Sequence, residues 1–205
     1  MGRSVILLLI AIFSIVVECK SQKIVVGIKG GIDFAKISGK SFLSNYSPSF
    51  EGGGYVRFRL NSVLGLQTEL LYSQQIEKIN IDKLNVVYNY NGSTINSLVN
   101  GTATIGSISL PILLTYRVNN LISVTAGPAV SLNAYTDENI FQNGTVAFKQ
   151  NEISFCGGAN LNLNGFSFYL RYNHGLSNIN NYNSIDTWKS RRMSFGLEIP
   201  IKSFK

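Results

Sequence analysis

His174 and Ser177 are the residues whose types and spacing could perform acid–base and nucleophilic chemistry, an imidazole to take a proton and a hydroxyl to attack with. Residues three apart on an extended strand point to opposite faces, so the pair cannot meet without a bulge. His174 falls on the outward set of the alternation derived below and reads as an interfacial-girdle or loop-edge residue, so no catalytic residue is assigned. A metal site needs a Cys/His cluster or an oxygen-rich Asp-x-Asp run, and neither is written here, so no metal and no cofactor is expected. Gly30-Gly31 and Gly52-Gly53-Gly54 precede no helix whose N-terminus could face a phosphate, and they fit close packing or bending of a sheet instead.

The two cysteines do not form a natural pair. Cys19 follows an apolar run, as a lipidated cysteine does, but Glu18 occupies the place where a small residue is required. Cys156 would then stand alone in a mature chain without an internal disulfide.

The remaining candidates are ionic: Lys29, Asp33, Arg57, Arg59, Glu69, Arg171 and Glu198. The elements that must position them are strands. Period-two alternation recurs near 24–35, 50–60, 63–78, 104–117, 121–134, 152–163, 166–177 and 192–204, while helical periodicity is hard to find after residue 22. Each stretch reaches the roughly 9–11 tilted residues that cross a bilayer, and the count is even.

The connections alternate in length. Asn61-Ser62, Asn119-Asn120 and Asn164-Gly165 read as two-residue hairpin links, rich in residues that accept positive φ. Between them lie polar segments at about 36–49, 79–103, 135–151 and 178–191. Short periplasmic turns against long extracellular loops are the signature of a transmembrane barrel with both termini in the periplasm. The sequons at Asn45, Asn91, Asn100 and Asn143 fall in or beside the long segments and read as loop composition.

Alternation also sorts the faces. Leu64, Leu66, Leu70 and Tyr72 oppose Gly65, Gln67, Glu69 and Ser73; Phe166, Phe168, Leu170 and Tyr172 oppose Ser167, Tyr169, Arg171 and Asn173. A soluble barrel of lipocalin type would turn the aliphatic set inward and coat its exterior with mixed charge. Only 14% of the chain is charged, against about 25% in ordinary soluble domains. Phe34, Phe58, Tyr72, Tyr116, Tyr135 and Phe166 near strand ends suit an interfacial girdle. The aliphatic face is therefore expected to meet outer-membrane lipid.

The seven ionic residues then share the lumen, with Gln67, Asn160, Asn162 and Asn173 around them. Eight strands leave an interior only wide enough for side chains, and charges enclosed there must be paired. A structural ion-pair network plugging the barrel is expected. Pro111, Pro128 and Pro200 fall inside strands, where each removes a ladder donor, so bulges or broken pairing are expected there.

Before the strands, residues 5–17 are almost wholly apolar, too short for a membrane-spanning helix and suited to the core of a secretory signal. The chain is accordingly divided into a signal peptide, 1–21, and a barrel domain, 22–205. The net charge of +7 raises nucleic acid as a partner, but export and the scatter of basic residues along the chain argue against it.

Particular words resemble a known family. Gly27-Ile-Lys-Gly-Gly-Ile-Asp-Phe-Ala35, Leu66-Gln-Thr-Glu-Leu-Leu-Tyr-Ser-Gln-Gln75, Leu110-Pro-Ile-Leu-Leu114, Ala126-Gly-Pro128 and Arg171-Tyr-Asn-His-Gly-Leu-Ser-Asn-Ile179 resemble the PorT-like outer-membrane β-barrel family of Bacteroidota, in register along essentially the whole mature chain. The resemblance implies an outer-membrane barrel with prolines at positions such as Pro111 and Pro128. It departs at the C-terminus, where Glu198-Ile-Pro-Ile-Lys-Ser-Phe-Lys205 replaces the usual Gly-Tyr-Lys-Phe type of ending.

The resulting expectation is an all-β, eight-stranded antiparallel up-and-down transmembrane barrel with a side-chain-filled lumen. Its function would be that of a structural or interaction barrel, meeting protein partners through extracellular loops or the periplasmic rim. Some relatives implied by the resemblance are linked to protein secretion and gliding. A lipid A-modifying enzyme is the remote alternative.

Overall fold

The structure is a computed structural model, and it describes residues 23–39, 46–78, 102–136, 148–181 and 186–204. Eight strands form a closed barrel in sequence order: β1 Ile24–Ser38, β2 Ser47–Arg59, β3 Leu64–Lys78, β4 Thr102–Arg117, β5 Ile122–Thr136, β6 Asn151–Leu163, β7 Phe166–Gly175 and β8 Lys189–Phe204. Every neighbouring pair is antiparallel, and β1 pairs with β8 from Ile24–Phe204 to Ser38–Lys189. Closure removes the edge that would leave backbone donors and acceptors unpaired in hydrocarbon.

All eight expected strands are present, with shifted ends. β2 begins at Ser47 rather than 50, pairing Ser47 with Ala35, and β1 runs past 35 to Ser38 beside β8. β7 stops at Gly175 rather than 177. Beyond it the Ser177 hydroxyl accepts the Ile153 N–H at 2.9 Å, so a side chain replaces the ladder partner.

Two of the three short links differ from the two-residue expectation. Residues 60–63 and 118–121 are four-residue turns of one design. In the first, Asn61 Oδ1 accepts the N–H groups of Val63 and Leu64 at 2.8 and 2.7 Å. In the second, Asn119 Oδ1 accepts those of Leu121 and Ile122 at the same two distances. The asparagine acts as a side-chain acceptor within the turn and does not need positive φ. Asn164-Gly165 is a two-residue turn, with Gly165 at φ 97°, a conformation glycine adopts without a Cβ penalty.

The strand prolines mark interruptions. Pairing of β3 with β4 lapses between Thr68–Ile112 and Leu71–Ser109, beside Pro111, and pairing of β4 with β5 lapses between Pro111–Ala129 and Leu114–Ala126, beside Pro128. At Pro200 the β1–β8 register shifts between Val26 and Gly27, leaving Ile201 as an extra residue.

The aliphatic face points outward. Leu70 is 59% exposed, and Ile28, Ile108, Leu114, Val130, Ile153, Phe168, Phe195 and Ile199 are exposed around the wall. Phe34, Tyr72, Tyr116 and Phe166 of the expected girdle are exposed, Phe58 is half-buried, and the Tyr135 side chain lies outside the described ones. This arrangement is the reverse of a lipocalin, whose apolar residues would fill the interior. Inside, one wall carries the apolar cluster Leu113, Ala129 and Cys156, and the opposite wall carries charge. At the end bearing the long connections, Phe148 and Trp188 pack at 5.3 Å between ring centroids, with Trp188 Nε1 donating to Asp186 Oδ2 at 3.0 Å.

The expected signal peptide, Cys19 and the sequons at Asn45, Asn91, Asn100 and Asn143 lie outside the described residues, as do most of the long segments 79–103 and 135–151 and parts of 36–49 and 178–191.

Candidate functional site in the lumen

Inward positions of β1, β2, β3, β7 and β8 bring Lys29, Arg57, Glu69, Arg171 and Glu198 together across the lumen. Lys29 is the hub. Its Nζ lies 3.3 Å from Glu69 Oε2, 3.8 Å from Glu198 Oε1 and 3.9 Å from Glu51 Oε1, and it stands 3.7 Å above the centroid of the Tyr169 ring. Arg171 grips Glu69 with both terminal nitrogens, at 2.5 and 2.8 Å, the bidentate geometry that makes arginine–carboxylate pairs strong. Arg57 Nη2 donates to Glu198 Oε2 at 2.6 Å, and its Nε donates to Gln67 Oε1 at 2.6 Å.

Neutral side chains bind the charges into one body. Gln67 Nε2 donates to Glu69 at 2.6 Å and to Glu198 at 3.1 Å, and Asn160 Nδ2 reaches Glu198 at 3.0 Å. The Tyr169 hydroxyl donates to Glu51 at 2.7 Å. The network thus sets three cations, Lys29, Arg57 and Arg171, against three carboxylates, Glu51, Glu69 and Glu198. A neutral, mutually bonded set is the condition under which charge survives in a low-dielectric interior.

Local backbone makes the space. Tyr169 lies over Gly31, and Tyr55 lies against Gly27; a Cβ at either glycine would collide with the ring system beside it. The absence of a Cβ at Gly27 and Gly31 therefore lets Tyr55 and Tyr169 lie directly against the β1 backbone.

Two of the seven sequence-derived residues stand apart. Asp33 pairs with Arg192 Nε at 3.6 Å, toward the long-loop end, where Arg192 also donates to Ser73 at 2.8 Å and Gln75 at 3.1 Å. Arg59 sits at the opposite mouth and joins no carboxylate among the described residues. Sequence reasoning missed Glu51 and Tyr169 as network members and Arg192 as the partner of Asp33. Period-two counting from Arg57 through Tyr55 and Gly53 leads to Glu51, and counting from Glu198 back leads to Arg192; that signal was present.

The imagined acid–base pair does not form. His174 points outward beside Tyr172, their rings 6.4 Å apart, while the Ser177 hydroxyl is engaged with the backbone of Ile153. Among the described residues no group of His, Cys, Asp and Glu could hold a metal ion.

A closed eight-stranded wall with an apolar exterior and a charged interior is an outer-membrane design, and residues 20–203 match the sequence family described as outer membrane protein beta-barrel domain. The chain belongs to that family. Its place is the bacterial outer membrane, in contact with lipid. A comparison with curated proteins finds no match. Among solved structures, Neisserial surface protein A is similar with a TM-score of 0.52 at 14% identity, covering 86% of this chain and 97% of that one. Ail, the attachment invasion locus protein of Yersinia pestis, solved in complex with the heparin analogue sucrose octasulfate, is similar with a TM-score of 0.51 at 12% identity, covering 88% and 99%. At such identities the likeness is one of fold, and within this outer-membrane family the short turns at 60–63, 118–121 and 164–165 mark the periplasmic end.

Proposed function

We propose that this barrel conducts nothing and catalyses nothing, and that it works as a membrane-embedded scaffold that meets protein partners through its long outer loops or its periplasmic rim. The observation that carries the reading is the neutral Lys29–Glu51–Glu69–Arg171–Glu198–Arg57 network spanning the lumen. Its role is structural: it fills and rigidifies the interior, with Asp33–Arg192 as a second tie and Arg59 outside it.

The finer kinship is PorT-like, supported by the words at 27–35, 66–75, 110–114, 126–128 and 171–179. On that kinship the partners to seek first are components of a protein secretion or gliding apparatus. Residues 1–21 serve as the export signal.

Single-barrel recordings in planar bilayers test the plug. The expected result is no stepwise conductance in the native protein; stable open steps would overturn the scaffold reading in favour of a channel. Affinity purification from cross-linked cells, compared with cells carrying a barrel whose outer loops are shortened, identifies which end meets partners.

A further inference from the structure

The network has a periplasmic side that its own chemistry leaves unfinished. Below Arg57 opens a cavity of about 590 Å³, lined by residues of all three short turns together with Lys23, Arg57, Arg59 and Arg117. That volume lies within the roughly 300–1,000 Å³ of small-ligand sites. Tyr55 and Arg57 form part of its inner lining, and Arg57 is tied to Glu198 in the plug, so the cavity is blind.

Its charge is one-sided. Among the described lining residues there is no Asp or Glu. Arg57 is already matched by Glu198, but Lys23, Arg59 and Arg117 make no ion pair with any described carboxylate. Arg59 instead shares the recess with two further cations, Arg117 and Arg57. Arg59 Nε and Thr115 Oγ1 are buried without a hydrogen-bond partner. Asn162, on another part of the lining, is by contrast engaged: it donates to Ser123 at 3.1 Å and accepts from Ser167 at 3.1 Å. Unmet donors and like charges gathered in a recess with low-dielectric walls focus a positive potential, and an anion is what satisfies both.

We propose that this vestibule is a binding site for a compact anion carrying two or more carboxylate or phosphate groups, held by Lys23, Arg59 and Arg117. Three cations from β2, β4 and the residue preceding β1, without an ion-pair partner among the described residues, call for more than one negative charge. The blind floor makes it a site of capture at the periplasmic face and not a step in permeation. The anion comes either from a free small molecule or from an acidic segment of a periplasmic protein.

The test is isothermal titration of the full mature chain, refolded in zwitterionic detergent, with three probes: citrate, pyrophosphate and a hexaglutamate peptide. One-to-one saturable binding of at least one probe is expected, weakened about tenfold or more in the Arg59→Gln/Arg117→Gln variant, as loss of charge-assisted hydrogen bonds implies. Lys36→Gln/Arg191→Gln, at the other end of the barrel, should bind as the native protein does. Binding of citrate or pyrophosphate points to a free anion; binding of the peptide alone points to an acidic protein segment. Heat-modifiable migration confirms that each variant is folded, and neither arginine belongs to the plug. Absence of binding by all three probes, or equal binding by the Arg59/Arg117 variant, overturns the proposal. Neither result bears on whether the lumen conducts, which the bilayer recordings decide separately.

Discussion

Replacing Glu69 with glutamine keeps the side-chain shape and removes one charge from the centre of the plug. Glu69 accepts hydrogen bonds from Arg171 at 2.5 and 2.8 Å, from Lys29 at 3.3 Å and from Gln67 at 2.6 Å. The amide offers one acceptor oxygen and turns a second donor toward Arg171, Lys29 or Gln67. The three cations would then face two carboxylates, with Lys29 and Arg171 shut off from solvent. Breaking a buried pair in this way costs about 3–5 kcal/mol. Arg171→Met alone should cost a similar amount, because it leaves an excess carboxylate instead. The double variant restores neutrality, with Lys29 and Arg57 opposite Glu51 and Glu198, and should be more stable than the summed singles by about 1–3 kcal/mol. Trp188, the only tryptophan and 1% exposed, reports unfolding by its fluorescence in urea titrations of vesicle-inserted protein, run where folding and unfolding curves superpose. Additivity within about 0.5 kcal/mol would refute the claim that Glu69 and Arg171 act as one unit.

Leu70→Arg places a guanidinium on the exposed aliphatic face and should destabilise the inserted barrel by about 2–4 kcal/mol in the same vesicle titration if Leu70 lies near the bilayer midplane. A change near zero would contradict the outward lipid face. Asn119→Ala removes the acceptor for two turn N–H groups and should cost about 1 kcal/mol, with the Asn61→Ala variant matching it because the two turns share one geometry. Cys156, buried against Leu113 and Ala129, should resist a maleimide reagent in the folded barrel and label rapidly once unfolded; prompt labelling of the native form would mean a solvent-filled lumen.

The barrel was legible because its periodicity is local. Leu64-Gly65-Leu66-Gln67 states its two faces within four residues, and Asn164-Gly165 declares a hairpin without reference to any distant segment. The four-residue turns were misjudged because Asn61 and Asn119 use their side chains as acceptors, which composition alone does not distinguish from a tolerance of positive φ. Face assignment placed Lys29, Arg57, Glu69, Arg171 and Glu198 in the lumen but could not show which of the inward charges pair. Arg57 and Glu198 are 141 residues apart and meet only because β8 closes on β1 beside β2. The separation of Asp33 and Arg59 from the other five likewise depends on height in the barrel, which follows from register and not from face.

Charge shows the same limit most clearly. Basic residues that look scattered along the chain converge in space, since Lys23, Arg59 and Arg117 come from three distant segments yet line one recess. The carboxylates go the other way: Asp33, Glu51, Glu69, Glu152, Asp186 and Glu198, all the acids whose side chains are described, are buried. Three of them are matched within the plug by three cations, so the plug adds nothing to the net charge of +7. The excess is carried outside it, in part by Lys23, Arg59 and Arg117 at the periplasmic mouth and by Lys36, Lys149, Lys189 and Arg191 at the loop end. A positive sequence total that would ordinarily raise the question of nucleic acid is here carried outside the neutral plug, in part by basic residues at the two ends of the barrel. The electrostatic selectivity of the molecule belongs to its two ends, and at the periplasmic one Lys23, Arg59 and Arg117 line a recess that holds no carboxylate among the described residues.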